Sequence, residues 1–140
     1  MRKFLTFLML LVLVAPQALR ADEYIVGDGT LDSRDNPFHN YYSNGYTELI
    51  YPASEIGQAG MINSLAFYCT TPGASQYVHE LRIYIGETDK SAYSSNTDWT
   101  PEADLTMVYQ HTALTIGATD GWQTFEFDTP YLYEGLKNLV

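Results

Sequence analysis

Apolar and polar residues alternate with a period of two through two neighbouring stretches of the chain. Over residues 64–69, Leu65, Phe67 and Cys69 fall on one side, with Ser64, Ala66 and Tyr68 on the other. Over residues 80–85, Leu81, Ile83 and Ile85 oppose Glu80, Arg82 and Tyr84. Successive side chains of a strand point to opposite faces, so this period marks two half-buried strands. Thr71, Pro72, Gly73, Ala74 and Ser75 between them have the composition of a turn. The expectation is an antiparallel pair with one face in a core.

The same reasoning runs along the rest of the chain. Residues 23–26 suit a short first strand, and residues 27–37 are a loop by composition. Residues 38–42 and 46–51 are aromatic-rich strands around a turn at Ser43, Asn44 and Gly45. Residues 53–56 allow at most one helical turn, stopped by Gly57. The polar segment 87–101 contains Tyr93 and Trp99. Leu105, Met107 and Tyr109 then alternate with Thr106, Val108 and Gln110, and Leu114, Thr115 and Ile116 lead into a turn at 117–121. Residues 122–128 form the next strand, with Phe125 and Phe127 on one face, and Thr129 and Pro130 end it. Leu65, Phe67, Leu81, Ile83, Phe125 and Phe127 are expected to face one interior. No segment carries the roughly 10–15 residues of 3.6-residue periodicity that a core helix needs. The pattern implies an all-β protein, an antiparallel, jelly-roll-like β-sandwich. Asn138, Leu139 and Val140 open another strand at the end of the chain. Residues 22–140 are therefore read as one domain cut short at its C-terminal side, part of a longer protein.

Composition changes this picture at the N-terminus. Arg2 and Lys3 precede an apolar run over residues 4–14, interrupted by Thr6 alone, and the chain turns small and polar up to Ala21. This is the layout of a secretory signal peptide over residues 1–21, and the run falls short of the ~20 residues a membrane span requires. The expected product is secreted or displayed at the cell surface, with no membrane span in its mature form. All 17 acidic residues lie beyond Ala21, where Arg34, Arg82, Lys90 and Lys137 are the basic ones. So acidic a surface repels phosphate backbones, which excludes nucleic acid as a natural partner. Cys69 is the single cysteine. It has no partner for an internal disulfide, and its place on the apolar strand face reads as a small buried hydrophobe.

Motifs for catalysis are missing. There is no Gly-x-Ser-x-Gly elbow, and His79-Glu80 continues as Leu81-Arg82-Ile83 rather than as a metallopeptidase helix. His39, His79 and His111 are far apart and read as surface or loop residues. Asp28, Asp32 and Asp35 crowd one loop, and calcium takes oxygen ligands from such loops, although acidic turns are also common on solvated surfaces. Trp99 sits in a polar segment; it either plugs one end of the fold or offers its ring to a ligand. On the strand over 122–128, alternation sends Trp122, Thr124, Glu126 and Asp128 to the face opposite Phe125 and Phe127. An indole beside two carboxylates suits a sugar, stacking on its C–H groups while the carboxylates accept hydrogen bonds from its hydroxyls. The usual burial of large aromatics favours the other orientation, in which a bulge at Gly121 and Trp122 turns the indole inward. Glycosidase chemistry would need two carboxyls across a cleft, which a flat strand does not supply.

The run Ile50-Tyr51-Pro52-Ala53-Ser54-Glu55-Ile56-Gly57, followed by Gly60-Met61-Ile62-Asn63-Ser64-Leu65-Ala66-Phe67, resembles a module of secreted Bacteroidetes proteins. Leu81-Arg82-Ile83-Tyr84-Ile85-Gly86, Thr97-Asp98-Trp99, Gly121-Trp122-Gln123-Thr124 and Thr129-Pro130-Tyr131-Leu132-Tyr133-Glu134-Gly135 carry the same resemblance. It implies a β-sandwich module of long surface or exported proteins, beside fibronectin type III-like repeats and a C-terminal sorting tail. It supplies no catalytic residues. The expected function is non-catalytic attachment to a glycan, a host protein or a neighbouring domain. The competing expectations are an N-terminal accessory domain of a secreted hydrolase or peptidase, and a structural spacer.

Overall fold

Strands form where the alternation places them, but they pair differently. The computed structural model describes residues 22–27, 37–38, 44–70, 76–117 and 119–140. The signal-peptide segment 1–21, the Asp28, Asp32 and Asp35 loop and His39 lie outside the described residues. In chain order the elements are α1 (Ala53–Ile56), β1 (Gly60–Cys69), β2 (Gln76–Ile85), β3 (Glu87–Thr88), a 3-10 turn (Glu102–Asp104), β4 (Thr106–Ile116), β5 (Gly121–Tyr133) and β6 (Asn138–Leu139). The strands make three two-stranded antiparallel ladders: β1 with β5, β2 with β4, and β3 with β6. The protein is all-β and antiparallel.

β1 and β2, expected to pair with each other, belong to different ladders. Between Cys69 and Gln76 the chain leaves one ladder and joins the other. Alternation determines which face of a strand is buried. It does not say which neighbour takes up the backbone N–H and C=O groups, and turn-like composition serves a link between ladders as well as a hairpin.

Two register breaks shape the long strands. Opposite Ile83 and Tyr84, β4 supplies Tyr109 and Met107, which leaves Val108 as an extra residue. A bulge re-aims side chains. Val108 and its neighbour Tyr109 are both buried, at 1% and 7% exposure, while Met107 is exposed. In the other ladder, Ile62 pairs with Tyr131 and Ser64 with Glu126. Residues 127–130 thus arch out opposite Asn63. Pro130, which has no N–H to give a ladder, sits inside this irregularity. β5 therefore continues past Thr129 and Pro130 instead of ending there.

The ladders meet over one core of Ile85, Val108, Tyr109, Ile116, Phe125, Tyr133 and Leu139. Phe67, Leu81, Ile83 and Phe127 pack against it half-buried, and so does Phe38. The Phe38 ring lies 5.8 Å from Phe67 and 5.6 Å from Phe125, and Tyr109 meets Phe125 edge-on at 5.7 Å. Leu65 is half-buried and stands outside this cluster. Cys69, expected to be buried, is a free thiol at intermediate exposure at the end of β1.

The helical turn α1 is where expected. Gly57 closes it with φ 80°, a conformation glycine adopts without strain, and donates its N–H to the Ala53 carbonyl at 2.9 Å. Two expected strands do not form. Residues 22–26 join no ladder, and of residues 46–51 only Tyr51 is paired, in a bridge to Leu139. Leu139 exchanges backbone hydrogen bonds with Tyr51 at 2.8 and 3.0 Å, and Val140 exchanges them with Gly86 at 2.8 and 2.9 Å. The Asn138 side chain accepts from the Ala53 N–H and donates to the Lys90 carbonyl. This stitching holds α1, the segment before it and the polar loop at one end of the molecule.

Candidate functional site

Trp122 faces outward. Phe125 is buried on β5, and Thr124 and Glu126 are exposed on the opposite face with Trp122, which is 48% exposed. Gly121 has φ 110°, yet no bulge forms there, because Cys69 pairs with Gly121 and Tyr68 with Trp122 in unbroken register. The inward orientation favoured from the sequence is therefore overturned. The reason is the cross-strand neighbour. Tyr68, 55% exposed, meets the indole edge to face, with ring centroids 5.2 Å apart at 83°. Edge-to-face pairs of this kind add about 0.5–1.5 kcal/mol beyond area burial, and this one holds both rings on the solvent side. The same face continues with Ala66 opposite Thr124 and Ser64 opposite Glu126. It presents two aromatic rings, then the Thr124 hydroxyl, then the Ser64 hydroxyl beside the Glu126 carboxylate.

Asp128 has different surroundings. It lies in the β5 arch and reaches across to β4. Its Oδ2 accepts the Gln110 backbone N–H at 2.8 Å, and its Oδ1 lies 2.9 Å from His111 Nε2. The Gln110 hydrogen bond first, and then His111, hold this carboxyl below the ordinary aspartate range. His111 stacks on Tyr109 at 4.4 Å. Both oxygens of Asp128 are engaged, so it tethers the two ladders where the sequence grouped it with Glu126.

Trp99 belongs to a separate group at the loop end. Its ring meets Tyr46 edge to face at 4.9 Å, and Tyr93 lies 6.5 Å away. Glu48 accepts from the Thr100 hydroxyl at 2.8 Å, from the Thr100 N–H and from the Tyr46 hydroxyl at 3.0 Å. Local desolvation of the hydroxyl, and then the Glu48 hydrogen bond and charge, push the Tyr46 phenol up to about 12. The sequence singled out Trp99 but not Tyr46, Glu48 or Thr100. Tyr46 and Glu48 are two apart in an extended run and share a face, which was the available signal. Thr100 is 52 residues further along and left none.

The concavities are shallow. One of about 150 Å³ lies between β4 and β5, lined by Tyr109, Ile116, Thr124 and Phe125 among others. It is below the ~300 Å³ of small-molecule pockets; a second, open one of about 320 Å³ is lined by Glu87, Tyr131, Glu134 and Lys137 among others. His79 is exposed beside Tyr77, and among the described residues no three His, Cys, Asp or Glu side chains come together as a metal site. Compared with protein-family models, curated proteins and solved structures, the chain matches none of them.

Proposed function

We propose that this chain is an exported, non-catalytic β-sandwich module that attaches its parent protein to glycan through the Tyr68–Trp122 face. The observation that carries the reading is the exposed edge-to-face pair, locked across a ladder and followed on the same face by Thr124 and Glu126. Tyr and Trp are enriched at interfaces, and a rigid ring pair loses little conformational freedom on binding. A pyranose ring offers C–H groups to the rings and hydroxyls to Glu126. The sandwich reading is supported by ladders β1·β5 and β2·β4 sharing one core, with Tyr109 of one against Phe125 of the other. Export is supported by the basic, then apolar, then small-residue order of residues 1–21. The Bacteroidetes resemblance points to the same class of surface protein.

Binding to a panel of oligosaccharides tests the function. Trp122→Ala should weaken binding by about 2 kcal/mol, roughly thirtyfold, with an unchanged circular dichroism spectrum and melting temperature. Undiminished binding by a folded Trp122→Ala protein would overturn the assignment. Loss of the fold would show that Trp122 supports the structure instead.

A further inference from the structure

The aromatic group at the loop end is not part of the Tyr68–Trp122 face, and its chemistry differs. Tyr46 and Trp99 are 58% and 48% exposed and stand at 89° to each other, which forms two walls of a corner. The Glu48 carboxylate is fixed beside them by the Thr100 and Tyr46 donors. Glu102 lies within electrostatic reach of the Tyr46 hydroxyl, and Asp98 of the Tyr93 hydroxyl. The Tyr93 hydroxyl is shielded from water, has no partner in hydrogen-bond geometry among the described residues, and feels the Glu48 carboxylate nearby. The cluster already receives one cation: the Lys90 ammonium sits 5.9 Å from the Tyr93 ring centroid while pairing with Asp98 at 2.6 Å.

We propose that Tyr46, Trp99 and Glu48 form a binding site for an organic cation, an ammonium or guanidinium group such as a basic side chain presents. Aromatic faces are electron-rich and attract such groups, Trp most strongly. A neighbouring carboxylate adds charge to that attraction. Glu48 is already oriented, so binding does not have to freeze its rotamers. The surface as a whole, with a formal net charge of −10 for the chain, steers cations inward. A neutral sugar would gain the ring contact but no charge–charge attraction, and the Glu48 oxygens are already bonded to Thr100 and Tyr46.

The site can be read from the Trp99 indole N–H resonance. The protein is titrated with N-acetyl-arginine amide and, separately, with tetramethylammonium. The expected result is a saturable shift at Trp99 and none at Trp122, weakening as salt is added. A response to both probes identifies a general cation site, and a response to the arginine amide alone identifies one that also needs N–H donors. Followed on the ligand resonances, Trp99→Ala should abolish binding and Glu48→Gln should weaken it about tenfold. Gln keeps an acceptor for Thr100, and melting curves check that each variant is folded; if Glu48→Gln does not fold, the half-exposed Trp99→Ala decides. No saturable shift with either cation overturns the proposal. So does a Trp99 shift produced only by a neutral oligosaccharide, or wild-type affinity in the folded Trp99→Ala protein.

Discussion

Neighbouring residues of similar chemistry differ most in what surrounds them. Phe125 is buried at the meeting of β1, β4 and β5, with the rings of Phe38, Phe67 and Tyr109 around it. Phe67 shares the alternation but is half-buried. The cost of truncation follows buried area and the cavity left behind. Phe125→Ala should therefore destabilise by about 3–5 kcal/mol, and Phe67→Ala by roughly half of that. Urea unfolding of the two variants checks the order, and equal losses would contradict the burial difference. Gly86 shows another residue-scale constraint. A Cβ there would meet the Leu105 side chain at 2.7 Å and the Asp104 carbonyl at 2.9 Å, so Leu105 can cover the backbone where Val140 pairs with it.

Among the elements, the polar segment between β3 and β4 keeps its shape by side-chain bonds rather than a ladder. Asp98 organises it. Its carboxylate takes the Lys90 ammonium at 2.6 Å and the Ser94 N–H and hydroxyl at 2.9 Å each. The Lys90 bond first, and then Ser94, lower its pKa to about 2. A carboxyl whose pKa falls on folding stabilises the fold above its unfolded pKa, and that contribution fades as pH drops through the folded value. The clamp should thus stay closed from neutral pH to about 4 and open as the pH nears about 2. The Ser94 amide resonance, followed through an acid titration, should move with a midpoint near 2. A midpoint at the ordinary aspartate value would show that the clamp is not formed in solution. The Asp128 tether between β4 and β5 is lowered in the same direction and depends on pH with the same sign.

At the scale of the molecule, charge imbalance stands out. Arg82, Lys90 and Lys137 are paired with Glu80, Asp98 and Asp89. Most of the acids have no such partner among the described residues, and their mutual repulsion opposes the compact state. Exposed pairs of this kind fix local geometry more than they stabilise. Raising the salt from about 10 mM to about 150 mM shortens the Debye length from ~30 Å to ~8 Å, so repulsion should be screened and the melting temperature should rise by a few degrees. A melting temperature that falls, or does not change, would mean that the few ion pairs outweigh the repulsion.

By itself the sequence determined the β character, the position of α1 and the inward face of most strands. These are local properties: a period of two, a glycine able to take positive φ, and the composition of a turn. Only the tertiary structure decided that β1 pairs with β5 and β2 with β4, because any strand offers the same backbone groups to any neighbour. It also decided the departures from alternation. The extra residue at Val108 turns two successive side chains inward, and the arch over 127–130 carries Asp128 away from Glu126 to β4. Whether Trp122 turned inward or stayed outward depended on Tyr68 across the ladder, which is far away along the chain. The Tyr46, Glu48 and Trp99 corner has the same origin. Its residues come from two distant segments, and the hydrogen bonds from Thr100 to Glu48 join those segments only once the chain has folded.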